Sequence, residues 1–140
     1  GIKNGQTPFG AVIVKDDIII AQTHNRVFSN TDITAHAEMV AIKEACKNID
    51  SIDLSGATIY TTCEPCPMCF GAIHWAKIDK IIYGANIKDA KNSGFSELSI
   101  SNKKMKKLGE SRVVIIKNIL KKECKELFTL WSKNKDSKTY

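Results

Sequence analysis

Three residues of this chain have the types and spacing to hold a metal ion, and a fourth has the chemistry to use it. His36 stands in Thr34-Ala35-His36-Ala37-Glu38, and Cys66 and Cys69 stand in Pro65-Cys66-Pro67-Met68-Cys69. One imidazole and two thiolates suit zinc. A set of three protein ligands leaves the fourth tetrahedral position open to water, the arrangement of a catalytic site and not of a structural one. Glu38, a carboxylate beside the ligands but not among them, is then placed to carry protons. A zinc module that only binds a partner has no use for such a residue, so Glu38 favours an enzyme.

The local pattern says how these groups are aimed. Cys66 and Cys69 are three apart, a spacing that shares one face of a helix. Pro67 fits the first helical position, where its missing N–H is no loss, so Cys66 is predicted at the cap with both sulfurs in the positive field of a helix N-terminus. His36 and Glu38 are two apart and would diverge in a helix interior, which places them in the first turn of a helix predicted over residues 35–48. Two other readings attach to a C-x-x-C pair: a closed zinc knuckle and a redox couple. Closure needs a fourth ligand, for which Cys63, His74 and His24 are the candidates. The redox reading lacks a thioredoxin-like context.

The elements that must position these groups follow from periodicity and turn chemistry. Residues 10–15 and 18–23 are β-rich and meet at Asp16-Asp17, predicting a hairpin. Met39, Ile42, Ala45, Cys46 and Ile49 recur at helical spacing, and residues 57–62 read as a third strand that ends at the cysteine loop. A helix over 66–76, a strand over 80–84, a loop, a short lysine-rich helix, a strand over 112–116 and a helix over 119–132 complete the chain. Leu120, Cys124, Leu127, Phe128 and Trp131 form one stripe on the last helix, so Cys124, like Cys46, is assigned to the core. This alternation predicts an α/β sandwich with a partly parallel sheet between helices, and a single domain over residues 1–140.

Composition agrees. A 43% hydrophobic and 26% charged chain of this length is ordinary for a soluble protein. Neither a membrane span nor a secretory leader is visible, and five cysteines, an odd number with two at metal spacing, suit a cytoplasmic protein better than a disulfide framework. The net charge of +6 lies in the C-terminal part: residues 1–102 carry 9 basic and 11 acidic groups, and residues 103–140 carry 12 basic and 4 acidic. A basic helix can track phosphates. Because only Arg26 and Arg112 are arginines, a solvated lysine face is the stronger reading, with nucleic acid the less favoured partner.

The zinc letters, with Thr61-Thr62-Cys63-Glu64-Pro65-Cys66 and Pro8-Phe9-Gly10-Ala11-Val12-Ile13-Val14-Lys15-Asp16, resemble the cytidine and deoxycytidylate deaminase superfamily and, within it, the bacterial guanine deaminase branch. Asp89-Ala90 with Gly94-Phe95 resembles that branch's substrate loop, and residues 131–140 its ending. The resemblance implies a three-layer α/β/α sandwich with a five-stranded mixed sheet, one zinc per chain held between two helix N-termini, and a homodimer. It implies hydrolytic release of ammonia from a nucleobase or nucleoside, with guanine to xanthine favoured. Transfer RNA adenosine deamination and cytosine or cytidine deamination are the alternatives, and a zinc-containing nucleic-acid-binding module is the non-enzyme one.

By the same resemblance Asn25 binds the base, the Ala37 N–H faces a ring carbonyl, and Glu97 takes the place of an acid that assists the departing amine. Phe9, Trp75 and Tyr140 are the aromatic faces available to a base, and Cys63 is a bystander. Three departures stand out. Ile33 replaces a proline before the zinc histidine, and the substrate loop reads Gly94-Phe95-Ser96-Glu97 where the branch tends to have Gly-Phe-Asp-Asp. Gly1 falls where relatives are finishing an N-terminal helix, so that helix is expected to be missing and one sheet face partly uncovered.

Overall fold

A computed structural model describes every residue except Asp136. Strands β1 (Gly10–Lys15) and β2 (Ile18–His24) form the expected hairpin. Its turn residues Asp16 and Asp17 have φ of 49° and 60°, the paired left-handed conformation whose twist matches a two-residue hairpin. Helix α1 (Val27–Asn30) is a single turn in the following loop, and α2 (Ala37–Asn48) leads to β3 (Thr58–Cys63). Then come α3 (Pro67–Trp75), β4 (Lys80–Ala85), α4 (Ile87–Asn92), α5 (Asn102–Leu108), β5 (Val114–Lys117) and α6 (Lys121–Ser132).

The sheet has the order β2-β1-β3-β4-β5. β1 is antiparallel to β2 and β3, whereas β3, β4 and β5 are mutually parallel, so the sheet is mixed, as expected for a cytidine deaminase-like fold. Alternation sorts each strand into two faces. Ala11, Ile13, Ile59 and Ile81 are buried on one face, under Ala37, Ala41 and Ala45 of α2 and Phe70 and Ile73 of α3. On the other face Tyr60 remains 42% exposed, so that face is partly uncovered. Helix α6 covers its β4 end by close approach: a Cβ on Gly84 would overlap the Cys124 sulfur and lie 2.8 Å from the Ile119 carbonyl.

A second cluster, Cys63, Ala85, Ala90, Phe95, Phe128 and Trp131, ties α6 to the segment after α4. Cys46 and Cys124 pack against the two cores as expected. Two expectations are corrected. Leu120 is 66% exposed and precedes α6 with φ of 49°, outside the helix, so it does not extend the apolar stripe. The region after β4, expected as a loop, begins with α4, whose Asn86 side chain accepts from the Asp89 N–H while Asp89 accepts from the Asn86 N–H, a capping box. No helix among the described residues is long and apolar enough to cross a membrane.

Candidate active site

The carboxyl ends of the parallel strands β3 and β4 open toward the start of α3, the place where open α/β sheets bind ligands. Two helix N-termini converge there. His36 is the N-cap of α2, and Cys66 is the N-cap of α3 with Pro67 at the first helical position, as the local sequence predicts. Thr23 Oγ donates to the Ala37 carbonyl at 2.7 Å, which fixes the α2 start against the hairpin, and the Asn25 N–H donates to the Phe9 carbonyl at 3.0 Å, which continues the hairpin pairing past Gly10.

Three contacts define the metal position. Cys66 Sγ to His36 Nδ1, Cys69 Sγ to His36 Nδ1 and Cys66 Sγ to Cys69 Sγ are each 3.6 Å. An ion with Zn–S of about 2.3 Å and Zn–N of about 2.0–2.1 Å in tetrahedral geometry requires S···N edges of about 3.6 Å and an S···S edge of about 3.8 Å. The observed triangle is one face of that tetrahedron. Among the described residues these three form the only such group. Cys63 instead directs its thiol at the Asn86 carbonyl, 3.6 Å away, and His74 Nδ1 lies 3.4 Å from Ser111 Oγ, so neither closes the shell.

The electrostatics of the protein groups alone favour a cation here. The hydrogen bond with Cys69 lowers Cys66 to about 4 against the opposing effect of burial, with His36 adding to the drop. Cys69 is raised well above the usual thiol range by that same hydrogen bond and by burial. The pair therefore holds one proton, with Cys66 the first to ionise. Burial opposes protonation of His36, but its hydrogen bond with Cys66 and the charge of Glu38 prevail and raise it.

Glu38, in the first turn of α2, is 7% exposed, and burial raises its carboxyl above the ordinary range. Glu97 is the second acid beside the ligands: burial first, then the Cys66 and Glu38 charges, lift it from 4.5 to about 7. Its Oε2 is buried with no hydrogen-bond partner among the described residues. Asn25 is fully buried; its Oδ1 accepts from the Val27 N–H at 3.1 Å and its Nδ2 donates to the Tyr140 hydroxyl at 2.8 Å, so that among the described residues one amide hydrogen has no partner. Tyr140 stands over the ligands, its ring 5.5 Å from His36, 5.8 Å from Phe28 and 6.1 Å from Phe95. Burial raises its hydroxyl to about 12, so it stays a neutral donor and acceptor. Phe9 meets Phe95 edge-on at 4.8 Å in the wall behind them.

Of the residues the sequence singles out, the structure brings together His36, Cys66, Cys69, Glu38, Ala37, Asn25, Glu97, Phe9 and Tyr140. Trp75 does not join them. It is 84% exposed at the last position of α3, the end opposite the cysteines, and so has no place in a base-binding wall. Asp89 is spent on the capping box and on an ion pair with Lys125 at 3.2 Å. Sequence reasoning missed Glu64 and Asn102, both buried beside the cysteine loop; the polar letters themselves give no local signal, because each acts across a long chain separation.

Residues 1–85 match the family described as the cytidine and deoxycytidylate deaminase zinc-binding region. Guanine deaminase of Bacillus subtilis (strain 168) is 42% identical over 133 residues, spanning 95% of this chain and 85% of that protein. The transfer RNA-specific adenosine deaminase of Buchnera aphidicola subsp. Schizaphis graminum (strain Sg) is 38% identical over 133 residues with the same coverages. A solved structure in complex with 2,6-diaminopurine superposes with a TM-score of 0.87 at 28% identity, covering 96% of this chain and 75% of that one.

Proposed function

Since the chain belongs to the cytidine and deoxycytidylate deaminase family, and is a zinc-binding hydrolytic enzyme acting on C–N bonds, we propose that its substrate is a small nucleobase, guanine, converted with water to xanthine and ammonia. The observation that carries this reading is the pairing of Glu97, whose Oε2 is buried without a hydrogen-bond partner among the described residues, with a Tyr140 ring set over His36. On this reading Glu97 serves the purine amine and Tyr140 covers the base. The similarity to guanine deaminase supports it, as does the purine bound by the structural neighbour. Residues 1–140 are taken as one deaminase unit.

His36, Cys66 and Cys69 would hold the zinc, which when bound would supply a water with its pKa lowered to roughly 7. The remaining work falls to side chains. Glu38 accepts a proton from the attacking water and returns it to the ring nitrogen; its burial raises the carboxyl above its ordinary range, which makes it a better proton acceptor. Glu97 hands a proton to the departing amine and takes one back from the added hydroxyl as it becomes the product carbonyl. The second Asn25 amide hydrogen and the Ala37 N–H, one of the unsatisfied donors in the first turn of α2, take ring acceptors and orient the base. Two thiolates would make a bound zinc a mild Lewis acid, which puts weight on the proton transfers by Glu38 and Glu97.

A second reading has one observation behind it. A cleft of about 1090 Å³ beside α4 and α5 is lined by Lys88, Lys91, Lys103, Lys106, Lys117 and Lys121, and none of them is in an ion pair among the described residues. Such a surface suits the phosphates of a transfer RNA. Ammonia release from guanine, guanosine, cytosine, cytidine, adenine and transfer RNA separates the two. Turnover of guanine with transfer RNA inert is expected; the converse would overturn the choice of a small base.

A further inference from the structure

One buried carboxylate joins the cysteine loop to both ends of the segment that carries Glu97. Glu64 lies two residues before Cys66 and is 5% exposed. Its Oε2 accepts from the Ile87 N–H at 3.4 Å, at the start of α4, and its Oε1 accepts from the Asn102 N–H at 2.8 Å, at the start of α5. Asn102, fully buried, completes the link: its Nδ2 donates to the Pro65 carbonyl at 2.6 Å. That carbonyl belongs to the peptide leading into Cys66. The 87–102 segment, with Gly94, Phe95 and Glu97 within it, is thus pinned at its two ends to one side chain on the zinc loop.

We propose that Glu64, with Asn102, is a positioning unit that couples metal binding to the order of the 87–102 segment. The coupling follows from the shared partners. A buried N–H left without an acceptor is unfavourable, so Ile87 and Asn102 hold their places only while Glu64 holds its own. Glu64 in turn is set by the path of the chain into Cys66. Capture of the sulfurs by an ion fixes that path, and through Glu64 it fixes both ends of a segment whose middle is held by Phe95 in the second core cluster. Linkage makes the effect reciprocal: loosening the segment weakens the metal by the factor with which the metal orders the segment. The proposal rests on the reading that Glu97 serves the reaction only for its functional meaning; the coupling stands whichever base is attacked.

The test uses the full chain, zinc-loaded and zinc-free. Glu64→Gln keeps the shape but turns one acceptor into a donor facing an N–H, and Asn102→Ala removes only the link to Pro65 while leaving both bonds to Glu64. Zinc affinity is measured by competition with a chromophoric chelator, and amide hydrogen exchange is followed over residues 93–101. In the wild type, zinc is expected to slow exchange there. In both variants that slowing should shrink, and zinc affinity should fall about 10- to 100-fold, the loss typical when groups supporting metal ligands are removed. If Glu64→Gln does not fold by circular dichroism, Asn102→Ala decides alone. Wild-type zinc affinity in the folded variants, or a wild type whose residues 93–101 exchange at the same rate with and without zinc, overturns the coupling. Failure of the small-base reading shows instead as absent guanine turnover with the coupling intact.

Discussion

Glu38 shows how much one position can be asked to do. A carboxylate 7% exposed and excluded from the ligand triangle is an unfavourable thing to keep unless it moves protons. Glu38→Gln should retain one zinc per chain and the native fold while turnover falls about 10²- to 10⁴-fold; metal analysis beside an ammonia assay checks it, and an active, zinc-loaded variant would remove Glu38 from the reaction. Glu97 makes a different prediction, in the metal-free protein. Its carboxyl is lifted from 4.5 to about 7 by burial and by the Cys66 and Glu38 charges, so the folded state binds its proton more tightly than the unfolded state does. The stability this proton confers is complete below pH 4.5 and is lost as pH rises through about 7. Glu97→Gln should therefore flatten the fall in thermal midpoint across that window, and parallel wild-type and variant curves would refute the shift. The metal set was legible because its information is local: two cysteines on one helical turn, a cap proline, and a histidine ahead of a first-turn acid. Glu97 was reached only through resemblance, and Glu64 and Asn102 were not reached, since their meaning lies in contacts across 23 and 38 positions.

At the scale of elements, the hairpin, the three parallel strands and the helices α2, α3, α5 and α6 were readable from apolar period and caps, with boundaries displaced by one or two residues. Helix α4 was missed although its Asn86 to Asp89 capping box is written in the sequence, because a one-and-a-half-turn helix has too little apolar period to register. Trp75 misled by its type: an aromatic on the zinc helix suggests a base platform, but nine residues of α3 carry it to the opposite end. The approach of α6 to the sheet is set by a residue with no side chain. A methyl on Gly84 would overlap the Cys124 sulfur and crowd the Ile119 carbonyl, so Gly84→Ala must move α6 outward. Overpacking of this kind costs about 1–3 kcal/mol, read as a lower urea midpoint with the slope unchanged. Because Phe128 and Trp131 of α6 pack on Phe95, activity should drop as well. Undiminished stability in Gly84→Ala would show that α6 floats on the sheet.

The whole molecule brings its last residue back to its first helices. Tyr140 reaches the Asn25 amide across 115 positions and sets its ring against His36, Phe28 and Phe95, while the Ser137 hydroxyl donates to the Trp131 carbonyl and turns the chain after α6. The site is therefore built from the hairpin loop, two helix starts, the 87–102 segment and the Tyr140 segment together. On the proposed small-base reading, Tyr140 acts as a lid over a planar base. Deleting residues 137–140 should leave zinc binding and the fold in place, since none of those residues touches the ligand triangle by a bond, but should weaken guanine. A buried neutral hydrogen bond contributes about 0.5–1.5 kcal/mol, so loss of the Tyr140 to Asn25 contact alone predicts a KM raised roughly 2- to 12-fold, and Tyr140→Phe should reproduce that part while keeping the ring. The lysine cleft gives the opposing outcome its form. If the truncated chain binds guanine as well as the intact one, and transfer RNA is deaminated with a steep loss on adding salt, then the tail is no lid and the basic surface is the part of the molecule that selects the substrate.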